Sequence, residues 1–300
     1  MASPGVQAAD VRSESVRWRT YAELTKPRLT SLVLVTTALG YLLARTGPVE
    51  WAALVAAVAG TALVGGGANG LNQWWESEAD ARMNRTRNRP LPSGRLPARA
   101  GFVFSVAVTV LGTALLLQFV NTLTALLALA SWATYLFAYT PLKPRSTLNT
   151  LVGAVSGAVP PMMGWTAATG RLDAGAWVLF AILFVWQIPH FLAIAWLHRR
   201  DYESGGFRML PVIDPAGRAT FRIVILYCVA LLPATYSAAL LGLSGWIYLA
   251  GATVLGLGLL QAGFRLYKDR SAESARRLFL ASIAYLPTLF LLMLLDPTRI

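Results

Sequence analysis

Acidic residues are few in this 300-residue chain, fourteen in all, yet Glu76, Glu78 and Asp80 fall together. On a continuous helix Asn72, Glu76 and Asp80, spaced i, i+4, i+8, drift by only about 40° per step and face one way along a stripe about 12 Å long. Glu78, about 200° from Glu76, points elsewhere. One amide and two carboxylates on a stripe form an oxygen-donor set suited to Mg²⁺ shared with a phosphate-bearing substrate. Arg82, Arg85, Arg87, Arg89, Arg95 and Arg99 follow, and Arg85 and Arg89 also repeat at i, i+4. Arginine forks match diphosphate oxygens two at a time. The plainer alternative is that the acids pair with neighbouring arginines on a solvated helix end. Against it stand Asn69 and Asn72, inside an apolar run where polar groups are costly and usually functional.

A second polar segment runs from Pro189 to Tyr202. His190 and Asp201, eleven residues apart, lie within about 20° on a continuous helix and would face the first stripe across a shared cavity. His190 alone reads equally as a hydrogen-bonded core histidine, and His198, beside Arg199 and Arg200, even more so. Neither histidine has a His or Cys partner at metal-site spacing, which argues against zinc. No Walker loop, Ser-His-Asp set or dinucleotide fingerprint occurs, and Gly65-Gly66-Gly67 reads as helix packing.

The elements that must position these residues are membrane helices. Apolar residues make up 56% of the chain and charged residues 13%, a balance that a soluble domain of this length could not keep in water. The formal charge of +12 does not point to nucleic acid, because the basic residues sit between long apolar runs. Cys228, the single cysteine, excludes an internal disulfide and reads as packing. Nine stretches are apolar enough to span about 30 Å of hydrocarbon as helix, near 29–44, 51–71, 102–119, 121–139, 148–168, 175–197, 221–242, 245–264 and 278–296. Pro160-Pro161 and Pro189 predict bends in the fifth and sixth. All 26 basic residues except Arg45, Arg171 and Arg299 then fall on one side, which the positive-inside rule makes cytoplasmic. The chain thus divides into a cytoplasmic tail over 1–28, uncleaved given Asp10 and Glu14 beside Arg12, Arg17 and Arg19, a nine-helix domain over 29–296, and a short external end over 297–300.

The run Ala68-Asn69-Gly70-Leu71-Asn72-Gln73-Trp74-Trp75-Glu76-Ser77-Glu78-Ala79-Asp80, with Met83-Asn84-Arg85-Thr86 and Arg89-Pro90-Leu91-Pro92-Ser93-Gly94-Arg95-Leu96, closely resembles the first signature of the UbiA-type intramembrane prenyltransferases. Tyr139-Thr140-Pro141-Leu142-Lys143, Pro160-Pro161-Met162-Met163-Gly164-Trp165, Trp186-Gln187-Ile188-Pro189-His190-Phe191, Asp201-Tyr202 and Met209-Leu210-Pro211-Val212 resemble its haem-modifying branch. The resemblance covers roughly residues 24–296. It implies an all-α fold of nine transmembrane helices around a central cavity that opens to the cytoplasmic face and laterally to lipid. It implies Mg²⁺ held by Asn72, Glu76 and Asp80 with Asp201 from the second motif, and Arg85 and Arg89 on the diphosphate. Asn69, Lys143 and Arg95, inside the matched runs, are carried over as substrate contacts. Quinone-precursor members usually carry several aspartates at the second motif, whereas this chain has His190 first and Asp201 last.

The implied activity is farnesyl transfer from farnesyl diphosphate to a vinyl group of haem b in the bilayer of a bacterial inner membrane. A downstream haem A synthase or terminal oxidase assembly is the implied partner. His190 then touches haem iron, a propionate or a transferred proton, and the sequence leaves all three open. Rival readings are the same chemistry on an aromatic quinone or chlorophyll precursor, a secondary transporter using Asn72, Glu76 and Asp80 as an ion path, and a haem chaperone that releases no diphosphate. The acids sit at a helix end, not at the midplane a transporter favours.

Overall fold

The computed structural model describes residues 18–298, so the predictions for Asp10, Arg12, Glu14, Arg17 and Arg299 lie outside the described residues. The described chain is all helix, with no strand. A short α1 (Trp18–Leu24) leads to α2 (Pro27–Ala44). Next come α3 (Trp51–Trp75), α4 (Ser77–Arg82), α5 (Ala98–Phe119) and α6 (Thr122–Ala133). The last runs through a π-helical stretch (Thr134–Tyr139) into α7 (Thr140–Leu142). After these come α8 (Asn149–Thr169), α9 (Ala174–Leu197), α10 (Arg199–Ser204), α11 (Leu210–Ile213), α12 (Arg218–Leu240), α13 (Trp246–Asp269) and α14 (Ala272–Leu295).

Every apolar stretch marked in the sequence falls on a helix. Among the described residues, seven helices are long and apolar enough to cross a membrane unaided: α3, α5, the continuous α6–α7 stretch, α9, α12, α13 and α14. α1 and α2, bent by 62° to one another, pass the same test only as a pair. α8 does not pass it, and its environment says why: Asn149, Thr150, Ser156 and the Pro160-Pro161 pair are buried among neighbouring helices, so this helix owes lipid little apolar surface. Both α8 and α9 run unbroken through their prolines.

α9 is apolar all round and mostly buried, which suits a helix enclosed by protein, and it packs against α8, α12 and α14. The largest apolar core lies among these helices and α13, while a smaller one joins α3, α5, α6 and α8. Small residues set the close crossings. A Cβ on Gly164 of α8 would run into the Thr37 carbonyl of α2, and one on Gly67 of α3 into the Thr109 hydroxyl of α5.

The connections after α3, α7, α9 and α13 meet at one end of the bundle. Arg208 N donates to Lys143 O (2.7 Å), Arg82 Nη2 to Gly205 O (3.2 Å) and Arg270 Nη1 to Ala216 O (3.1 Å). The polar segments singled out in the sequence all sit at this end.

Candidate active site

α3 ends at Trp75, and Glu76 (φ −96°, ψ 12°) joins it to α4. The helical spacing survives that junction, because Glu76 N donates to Asn72 O (2.9 Å) and Asp80 N to Glu76 O (2.8 Å). Asn72, Glu76 and Asp80 therefore do line one cavity, of about 420 Å³, while Glu78 is exposed outside it. The cavity is bounded by α2, α3, α6 with its π-helical extension, α8 and α9. Its polar end carries the three residues above together with Lys26, Arg89 and Lys143, and it continues between apolar groups such as Val64, Trp132, Met163 and Leu183.

Both carboxylates are buried, Glu76 at 7% exposure and Asp80 at 1%, and each is met by a cation. Arg89 Nη1 lies 2.6 Å from Asp80 Oδ2. Lys143 Nζ lies 2.8 Å from both oxygens of the Glu76 carboxylate, donating to Oε2 and ion-paired with Oε1. Burial works to lower the Lys143 pKa, but the attraction of Glu76, with Tyr139 and Tyr135, overrides it and holds the ammonium above lysine's ordinary range. Its charge also sits over the Tyr139 ring, 4.6 Å from the centroid.

Lys26 is the residue that sequence reasoning missed. It sits before Pro27 with φ 49° and ψ 62°, a left-handed conformation that costs a residue with a Cβ roughly 1–3 kcal/mol. The surroundings hold it there. Its Nζ donates to Asn72 Oδ1 (3.3 Å), while Gln73 Nε2 binds Leu24 O (2.8 Å) and Asn69 Nδ2 binds Thr25 O (3.3 Å).

Arg85 lines the polar end and reaches Tyr202 Oη (3.3 Å), joining the α4–α5 connection to α10. Asn69 lines the cavity too, but its amide is spent tying α3 to the α1–α2 junction, on Thr25 O and Thr30 Oγ1. Arg95 lies outside the cavity, paired with Glu23 at 2.6 Å and donating to Asn88 O at 2.7 Å.

Asp201 also lies apart from Asn72, Glu76 and Asp80. α9 stops at Leu197 and α10 restarts at Arg199, but His198 (φ −111°, ψ 22°) is a junction like Glu76, with His198 N donating to Ile194 O (3.0 Å) and Tyr202 N to His198 O (3.0 Å), so the helical spacing carries on toward Asp201. Asp201 lines a separate recess with Arg200 and Arg270. His198 lines that recess as well, its pKa lowered by burial and by Arg85 against the pull of Asp201.

His190 does face the main cavity, buried at 8% exposure. Its Nδ1 pairs with Ser282 Oγ of α14 (2.7 Å), and its ring stacks on Trp186 (centroids 4.8 Å, 24°) beside Phe279 (5.0 Å). Ser282 carries no motif and is 92 residues away in sequence, so no local signal announces it.

Among the described residues, no three His, Cys, Asp or Glu side chains converge as a metal cage. Two buried carboxylates plus the Asn72 amide fit instead a magnesium ion that completes its shell with phosphate oxygens and water.

A lipid-sized apolar chamber closed at one end by carboxylates and cations is the plan of an intramembrane prenyltransferase, and the chain belongs to the UbiA prenyltransferase family, which matches residues 33–286. Its relatives include the protoheme IX farnesyltransferase of Solibacter usitatus, 45% identical over 93% of this chain and 98% of the relative. The human mitochondrial protoheme IX farnesyltransferase is 44% identical over 91% of this chain and 61% of its own length. Among solved structures, a digeranylgeranylglyceryl phosphate synthase superposes with a TM-score of 0.78 at 17% identity, over 93% of this chain and 98% of that one. A UbiA homologue from Archaeoglobus fulgidus, bound to GPP and Mg²⁺, does so at 0.65 and 12% identity, over 91% and 99%. These two distant likenesses bear on the fold.

Proposed function

We propose that this chain transfers the farnesyl group of farnesyl diphosphate to a vinyl group of haem b, releasing diphosphate and giving haem O. The observation that carries the reading is one cavity with two kinds of wall: Glu76, Asp80, Lys143, Arg89 and Lys26 at its polar end, and an aromatic, apolar chamber beyond. The relatives named protoheme IX farnesyltransferase support haem as the acceptor, since they match this chain nearly from end to end.

Asn72, Glu76 and Asp80 are the residues to hold Mg²⁺, which when bound supplies positive charge to the leaving diphosphate. Lys26, Arg85, Arg89 and Lys143 supply fixed cations for the same oxygens, so negative charge developing on the leaving group meets partners already in place. Walls such as Trp132, Met163 and Leu183 keep bulk water from the allylic carbon. The acceptor's vinyl group then forms the carbon–carbon bond through its terminal carbon, and water adds at the inner carbon with loss of one proton.

The surrounding architecture is read as nine spans, with α1–α2 and α8 completing the seven apolar helices, around a central cavity. The catalytic unit runs from α1–α2, whose junction supplies Lys26, to about residue 296, beginning earlier than the boundary at 29 drawn from the sequence; the residues before α1 form the cytoplasmic tail and 297–300 are external. The membrane is a bacterial inner membrane, the site faces the cytoplasm, and the product passes to a haem A synthase or terminal oxidase assembly. Purified protein given haem b, labelled farnesyl diphosphate and Mg²⁺ is expected to form haem O and diphosphate. Transfer to a quinone precursor but not to haem b would assign the chain to the aromatic-acceptor branch, and diphosphate release insensitive to EDTA would remove the metal.

A further inference from the structure

We propose that His190 Nε2 is the axial ligand for the iron of the acceptor haem, and that Ser282 is the residue that orients it. This rests on haem b being the acceptor. Such ligation takes the tautomer in which Ser282 Oγ donates its one hydrogen to Phe279 O (2.7 Å) and accepts from His190 Nδ1 (2.7 Å), which puts the ring proton on Nδ1. Nε2 then bears a free lone pair, and it makes no hydrogen bond to any described residue although the ring lines the cavity.

A neutral imidazole whose Nδ1–H is held by an oxygen is the arrangement that metal-binding histidines use, because the second bond fixes both ring orientation and tautomer. The ring is further immobilised by the Trp186 stack, and Trp186 Nε1 donates to the carbonyl of the same Ser282 (2.9 Å). α9 and α14 are thus pinned together at the residue that aims the histidine. A propionate contact is the weaker reading, because a propionate needs a donor and the cavity-facing nitrogen is an acceptor. Coordination moves no proton: the Nε2 lone pair fills an open axial position, and the porphyrin edge is left free to extend toward the polar end of the cavity.

The test uses the full-length protein in detergent, titrated with haem b and separately with metal-free protoporphyrin IX, which has the same periphery and no iron. Haem b is expected to show the optical and resonance Raman signature of histidine ligation, and metal-free protoporphyrin to bind about tenfold weaker or worse. His190→Ala should lose that signature and regain it with added imidazole, while still binding farnesyl diphosphate with Mg²⁺. Ser282→Ala should weaken haem binding by about 10–100-fold with Ser282→Thr close to wild type, the range seen when a ligand's supporting hydrogen bond is removed. Equal affinity for the two porphyrins, or an unchanged haem spectrum in His190→Ala, overturns the proposal; lost turnover with an unchanged spectrum would make Nε2 a proton acceptor instead. The porphyrin comparison needs no variant, so a misfolded mutant cannot shield the idea. A wild-type protein that neither binds nor converts haem b would instead fail the functional reading itself.

Discussion

Glu76 and Asp80 each hold a charge in a place with almost no water, and each depends on one cation for it. Removing one partner of such a pair strands the other, at a cost of about 3–5 kcal/mol. Glu76→Ala and Asp80→Ala are therefore expected to abolish transfer while the protein still inserts in membranes. Glu78→Ala, on the exposed side, should keep most activity. Asp201→Ala should also leave farnesyl diphosphate binding near wild type, since its recess is separate from the main cavity. Equal damage from all four, read as turnover and diphosphate affinity, would mean that the cavity does not mark the site. Lys26→Ala is expected to weaken diphosphate binding by about tenfold or more, a loss of a charge-assisted contact of roughly 1.5–3 kcal/mol. The carboxylate stripe and the arginine pair were legible because their spacing is local. Lys26 was not, because its partner Asn72 is 46 residues away and meets it only through the packing of α2 on α3.

At the scale of elements, the apolar runs located the helices well, since burial in lipid or protein needs the same composition either way. What the runs did not carry was the second recess at the end of α9. No proline or glycine stands in Leu197-His198-Arg199-Arg200-Asp201 and the helical bonds do run across it, so nothing local showed that Asp201 lines that recess with Arg200 and Arg270 and not the main cavity. The α2–α8 crossing gives a sharper test of packing. Gly164→Leu forces a side chain into the Thr37 carbonyl and should destabilise the fold by about 1–3 kcal/mol or more, as seen in thermal unfolding in detergent. Gly170→Ala at the end of α8 separates crowding from backbone preference. That residue holds φ 66° with nothing near a Cβ, so it should lose only the smaller cost of about 1 kcal/mol typical of a left-handed cap.

For the whole molecule, the hydrogen bonds among the connections after α3, α7, α9 and α13 place Arg87 and Arg270 at the same end of the bundle. Single cysteines at both positions, in a Cys228→Ala background, are expected to resist a membrane-impermeant thiol reagent in intact cells and to react once the membrane is opened. Labelling of either in intact cells would reverse or break the proposed orientation. At the same end of the molecule both cavity carboxylates are already matched to cations, Glu76 to Lys143 and Asp80 to Arg89. Arrival of diphosphate alone would take cations from the carboxylates, and arrival of a divalent cation alone would take carboxylates from the cations; either leaves a buried charge stranded. Together they exchange partners and strand none. The two ligands are therefore thermodynamically coupled, and reciprocity fixes the size of the effect: the factor by which Mg²⁺ tightens farnesyl diphosphate must equal the factor by which farnesyl diphosphate tightens Mg²⁺, typically about 5–150-fold for such couplings. Calorimetric titration of each ligand with and without the other measures both factors, and affinities that ignore one another would show that the paired charges are bystanders to binding.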